Sequence, residues 1–225
     1  MSMRAVIKFS KSEAVKYISH LDVLRMFQRA LMRSGLKTAY SEGYHPHMLL
    51  SFALAAPVGV ASSCEYAEVY FEYPMFCEEI KQRLGATMPG GCEVLDVFEL
   101  DEKYPALMSV VAAADYQFYY KPEESAALAR GLLNLNEQPE IIIMKKSKKG
   151  PKPADIKPML YRMEMHENIL ECSLASGGTA NLRPDALDDL LFEKTGVKAE
   201  QIFRTALYIE QKGERIRPEQ AEGRI

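Results

Sequence analysis

The chain has 225 residues, 48% of them apolar and 26% charged, with a net charge of −3. That balance excludes a disordered, collagenous or coiled-coil protein, and the length suits one or two domains that each bury a core. No apolar run approaches the roughly 18 residues that cross a bilayer, and the opening MSMRAVIKFSKSE has no apolar h-region, so the expected location is cytoplasmic, with no membrane partner.

Residues 4–9 alternate in a β-rich run and predict a first strand. Ser19, with Asp22 three residues on, predicts a helix start, and Gly35 its stop. Within it Leu21, Leu24, Phe27 and Leu31 recur at helical spacing and are expected to face a core. Residues 48–54 and 66–73 read as strands. Residues 76–88 read as an amphipathic helix closed by Pro89-Gly90-Gly91, and 93–100 as a further strand.

The order then repeats. Residues 116–120 form an aromatic strand, and Pro122-Glu123-Glu124 opens a helix, since proline and acids suit a first turn. Residues 140–144 read as a strand, and 157–166 with 169–174 as a hairpin turning at Glu167-Asn168. Pro184-Asp185 opens a short helix, and 203–210 closes the series. The pattern predicts an α+β fold of two tandem ferredoxin-like βαββαβ units, each an antiparallel sheet with helices on one face. The expected bounds are 1–100 and 114–211, with a connector at 101–113 and a polar, frayed tail at 212–225.

Four cysteines (Cys64, Cys77, Cys92, Cys172) lack CxxC spacing and read as small buried hydrophobes. No phosphate-loop, dinucleotide, nucleophile-elbow or zinc-protease motif occurs. Ser176-Gly177-Gly178-Thr179 precedes a helix and offers only a weak anion site.

Three segments have a composition that a core does not demand. On the first helix Asp22, Arg25, Arg29 and Arg33 fall on one side, either a solvated face or a guanidinium ladder for phosphates. In Tyr40-Ser41-Glu42-Gly43-Tyr44-His45-Pro46-His47, the residues Tyr44, His45 and His47 suit stacking on an unpaired base, acid–base work, or a plain turn. Two histidines are too few to hold a metal, with His20 and Cys64 the only further candidates, so no metal site is assigned. The third segment, residues 145–157, carries Lys145, Lys146, Lys148, Lys149, Lys152 and Lys157 against Asp155. Its net +5 leaves −8 for the rest of the chain. A flexible cationic arm of this kind binds polyanions by counterion release. His20, Asp22, His45 and His47 are further expected to meet as one polar cluster, with Asp22 orienting an imidazole.

These residues carry a resemblance. Phe9-Ser10-Lys11, Ser19-His20-Leu21-Asp22, Tyr40-Ser41-Glu42-Gly43, His45-Pro46-His47, Ser51-Phe52 and Pro57-Val58-Gly59 resemble the pattern of the radical-SAM-linked protein family. The likeness continues more loosely through Asp155-Ile156-Lys157-Pro158 and Arg183-Pro184-Asp185. One departure is Ala53, where family members commonly carry glycine. The family is a domain of unknown function, and the resemblance implies a companion of a radical-SAM enzyme. SAM and the iron–sulfur cluster are then expected on the partner, with no cofactor in this chain, which lacks the cysteines for a cluster. The expected function is a non-catalytic, RNA-binding or substrate-presenting accessory subunit. Two other readings stand beside it: a metal-independent endoribonuclease using His20 or His45, and a structural adaptor packing its aromatic strands on a partner.

Overall fold

Val6, Ile7 and Phe9 make residues 3–11 a strand, but alternation there hides the fact that both of its faces are covered. The computed structural model describes residues 2–145 and 150–225, Lys145 by its backbone alone. In chain order the elements are β1 (Met3–Lys11), α1 (His20–Ser34), β2 (Leu50–Phe52), β3 (Val60–Phe71), α2 (Cys77–Gly85), β4 (Val94–Glu99), α3 (Leu107–Val110) and β5 (Val111–Tyr119). There follow α4 (Ser125–Glu137), β6 (Ile142–Lys145), β7 (Lys152–Asp155), β8 (Leu160–His166), β9 (Ile169–Ala175), α5 (Pro184–Thr195), β10 (Gln201–Gln211) and β11 (Glu214–Ile216). The fold is mixed α+β with mostly antiparallel strand pairing. It divides into two units, Met1–Ala112 with Arg204–Ile225, and Ala113–Phe203.

In the first unit β4, β1 and β3 are antiparallel neighbours, and β2 adds to β3 through the pairs Leu50↔Val69 and Phe52↔Ala67. One face of this sheet carries Met3, Ala5, Ile7 and Phe9 against Phe27 and Leu31 of α1 and Ile80 and Leu84 of α2. Ser19 caps α1 by accepting the Asp22 N–H at 3.2 Å, and Gly35 ends it at φ 69°. The buried stripe of α1 is Val23, Phe27, Ala30 and Leu31. That phase turns Leu21 outward, 60% exposed, against the expectation that it faces the core.

The opposite face explains the C-terminus. Residues 212–225 are not frayed: β11 pairs with β10, Arg224 bridges Leu100, and the Asp101 N–H donates to the Gly223 carbonyl at 2.7 Å. Lys8 and its cross-strand neighbour Tyr66 both reach Glu219, at 2.5 and 2.9 Å. The tail reads as polar because it complements polar side chains on a sheet face. The connector is likewise ordered, holding α3 and the start of β5, with Leu107 fully buried.

In the second unit β5, β9 and β8 are antiparallel neighbours, and β8 and β9 turn at Glu167-Asn168, with Glu167 at φ 54°. An unexpected strand, β7, pairs antiparallel with β6, from Ile142↔Asp155 to Lys145↔Lys152. The Ile142 end of this pair is clamped by Asp155, whose carboxylate accepts the N–H groups of Ile141 and Lys157, both at 2.9 Å. Lys157 in turn donates to the Asn136 carbonyl at 2.7 Å, capping the end of α4.

Two predictions follow from this packing. Glu219 lies half-buried, which alone would raise its pKa. The hydrogen bonds from Lys8 and Tyr66 outweigh burial and hold the carboxyl below the usual range. Its contribution is therefore complete above the ordinary carboxylate pKa and is lost as pH falls through the lowered value. Glu219→Gln should cost roughly 1.5–3 kcal/mol at pH 7 in denaturant unfolding, and the difference from the parent should shrink on acidification. In the second unit a Cβ at Gly131 would lie 2.3 Å from Thr195 Cγ2. Thr195 cannot swing away without breaking Oγ1 bonds to the Leu191 carbonyl and the Val197 N–H. Gly131→Ala should therefore lower stability by about 1–3 kcal/mol despite better helix propensity, as thermal unfolding will show.

Candidate functional site

The first helix and the loop that follows it hold the densest set of chemically competent residues. Ser19 and Asp22 are bonded reciprocally: the Ser19 hydroxyl donates to the Asp22 carboxylate at 2.7 Å while accepting its N–H. That hydroxyl bond, with help from Arg25 at 3.3 Å, holds the exposed Asp22 carboxyl below its ordinary pKa. His20 begins α1 and sets its ring edge on Phe52, centroids 5.4 Å apart. Phe52 belongs to a cluster with Phe9 and Phe27, so the imidazole rests on the end of the apolar core.

The loop after α1 leaves the sheet edge at Tyr40 and returns at Met48, which face each other in an antiparallel bridge. Ser41 closes it twice: its N–H donates to the His47 carbonyl at 2.8 Å, and its hydroxyl accepts the His47 N–H at 3.1 Å. The same hydroxyl lies 2.8 Å from His47 Nδ1. Gly43 sits at φ 117°, a conformation that side chains resist, and lets the chain turn inside this short closure. The result is a protruding tip. Tyr44 is 95% exposed, and its ring meets the His45 ring edge-on at 5.0 Å.

The structure does not form the expected carboxylate–imidazole cluster. Among the described residues Asp22 binds Ser19 and Arg25, His20 contacts Phe52, His47 binds Ser41, and His45 meets Tyr44. The helix cap and the loop closure use the groups that the cluster needed. Arg33 also leaves the proposed ladder in part, because it donates to the Thr87 carbonyl at 2.7 Å. Arg25 and Arg29 remain exposed on the outer side of α1. Cys64 is excluded as a ligand candidate: it is buried, its thiol is pushed up to about 12 by burial, and it contacts the Arg204 carbonyl. Lys146, Lys148 and Lys149 lie outside the described residues, as does the side chain of Lys145. Lys152 is exposed on β7, opposite Lys145 in the β6–β7 register.

The family model described as "Uncharacterized protein conserved in bacteria (DUF2344)" matches residues 4–184. The chain belongs to this family. No curated protein sequence matches it. Among solved structures, a chain titled "Crystal Structure of a Cbf5-Nop10-Gar1 Complex" is similar over 90% of this chain, at 10% identity and a TM-score of 0.46. The match covers 48% of that chain's own length.

Several motif residues of this family member have architectural roles. Lys11 is fully buried and donates to the carbonyls of Lys16, at 2.8 Å, and Pro57, at 3.3 Å. Burial lowers its pKa, and those two carbonyls tie the turn before α1 to the Pro57-Val58-Gly59 turn. Gly59, at φ 87°, completes the tie by donating to the Lys16 carbonyl. Sequence reasoning missed Ser41 as the loop's lock and Phe52 as the seat of His20. A hydroxyl six residues before a histidine is a faint local signal. The contact to Phe52 is long-range and has none.

Because the lock is local and exposed, Ser41→Ala should leave global unfolding within about 1 kcal/mol of the parent. Hydrogen exchange at the amides of Ser41 and His47 should quicken markedly, and mass spectrometry of the corresponding peptide reads it directly.

Proposed function

We propose that this protein binds single-stranded RNA through the Tyr44–His45 tip and the arginines of α1, and presents it to a partner enzyme. The observation that carries the reading is the tip itself. A tyrosine ring 95% exposed on a loop locked at its base offers a stacking surface that costs little ordering on binding. Arg25 and Arg29 supply guanidinium groups for phosphates on the same unit, beyond those needed for packing. Stacking tolerates any base, so the reading implies RNA capture without strong sequence preference.

The partner is inferred from the motif resemblance: a radical-SAM enzyme that carries its own cluster and SAM, leaving this chain without a cofactor. We read each unit as ferredoxin-like. In the first, the neighbour order β4-β1-β3-β2 with α1 and α2 on one face supports it. In the second, the order β5-β9-β8 with α4 packed on α5 does so. The lysine block of residues 145–157 is assigned as a further phosphate contact on charge alone.

Fluorescence anisotropy with a labelled oligouridine tests the proposal. Tyr44→Ala should weaken binding roughly 5- to 100-fold, the equivalent of one lost base stack. Replacing Arg25 and Arg29 by alanine should lower the log–log salt slope by about 0.7 for each lost contact on a single strand. Alanine at Lys146, Lys148 and Lys149 should do the same independently. Parent-like binding by Tyr44→Ala would remove the tip from the site and with it the proposal.

A further inference from the structure

A cleft of about 530 Å³ opens in the first unit where β3 hands over to α2. Its walls are Tyr73, Pro74, Met75 and Phe76, with Glu99 at the end of β4 also lining it. Both aromatic rings are open to solvent, Tyr73 at 48% and Phe76 at 84%. The fold does not need Phe76 outside: as the N-cap residue of α2 it makes no side-chain capping bond. Exposed aromatic rings around a cleft of this size mark a binding surface more often than packing.

The charge around the cleft selects the ligand. Arg83 is there, but its guanidinium is engaged, with Nη1 on Glu79 at 2.8 Å and both Nε and Nη2 on the Ser34 carbonyl. Glu79 and Arg83 thus neutralise each other. Among the described residues Glu99 has no cation within ion-pair distance. The neighbouring Cys77 thiol is raised chiefly by burial and then by the Glu99 charge, with Asp96 adding to it and a backbone hydrogen bond at Glu99 and the Arg224 charge opposing. A phosphate or nucleic-acid strand is disfavoured in such a cleft. A planar cation is favoured, because it stacks on aromatic faces and forks onto a carboxylate.

We infer that this cleft receives an arginine side chain of a partner protein segment, its guanidinium stacked on Phe76 and Tyr73 and paired with Glu99. The volume exceeds one side chain, which leaves room for the backbone on either side of the arginine. The site is separate from the RNA reading, uses none of the same residues, and takes a ligand of opposite charge.

The test is NMR titration of the full chain with acetyl-Gly-Arg-Gly-amide, the same peptide carrying citrulline, and free arginine. Citrulline keeps the shape and removes the charge. The arginine peptide should shift amides of residues 73–79 and 99, with free arginine weaker and citrulline without effect. Phe76→Ala should weaken binding roughly two- to fivefold, as for an exposed cation–π contact. Glu99→Gln should weaken it roughly tenfold, as for a lost charged hydrogen bond. Phe76 is so exposed that its variant should fold as the parent does, which circular dichroism confirms. Equal binding of the citrulline peptide, shifts elsewhere, or no shifts with the arginine peptide at tens of millimolar would each overturn the assignment. Loss of RNA binding in Tyr44→Ala with these shifts intact would show the two sites to be independent.

Discussion

A guanidinium is costly to bury, and Arg4, near the start of the central strand β1, is 2% exposed. The first unit is arranged around meeting that cost. Glu68 on β3 accepts from Nε at 3.0 Å and also from Nη2. The remaining donors reach the carbonyls of Asp101, Tyr104 and Pro105 at 3.1, 2.5 and 2.9 Å. Glu68 uses its second oxygen for the Leu107 N–H at 2.9 Å. One ion pair therefore fixes strand register and the path of the chain leaving β4. Removing either partner would leave a buried, unpaired charge, a loss of about 3–5 kcal/mol.

The same logic recurs along β3. Glu65 pairs with Arg204 at 2.8 Å, both nearly inaccessible, and so draws the C-terminal strand back into the first unit. Lys8, the buried Tyr66 and the half-buried Glu219 repeat it farther along the two strands. Charged residues placed alternately on β1 and β3 thus recruit, one after another, the connector, β10 and the final segment. Hydrophobic burial against α1 and α2 stabilises one face of the sheet. The Arg4–Glu68 pair and the Lys8–Tyr66–Glu219 group organise the other, while Glu65, opposite Phe9, sets its pair with Arg204 at the end of the apolar face.

That division explains what could be read from the residues. The apolar face obeys periodicity, so β1, α1, α2 and β4 emerge near their true bounds. The polar face defeats it. A segment such as 214–224, with Glu219 and Arg224, looks solvated, and only its partners Lys8, Tyr66 and Leu100, more than a hundred residues earlier in the chain, show otherwise. Leu21 departs from the expected core face for a local reason: the helix phase is set by Val23, Phe27, Ala30 and Leu31. The strand β7 is not legible because it contains Pro153, which demotes a strand reading, although an edge position tolerates it.

The candidate site follows from the same accounting of partners. Of the motif residues, Phe9 and Phe52 belong to the core, Lys11 braces two turns, and Ser19 caps a helix. Ser41 and His47 lock a loop, and Asp155 and Lys157 clamp the β6–β7 pair to α4. Side chains with such duties explain their own presence. Tyr44 and His45 at the tip, with Arg25 and Arg29 on α1, have no comparable duty among the described residues, since an exposed i,i+3 pair such as Asp22–Arg25 contributes a few tenths of a kcal/mol. Exposing a tyrosine ring almost fully while building a closed loop to hold it there stabilises nothing in the isolated fold. Its placement makes sense if the ring meets something outside the chain, and for that reason the functional reading rests on the tip rather than on the motif as a whole.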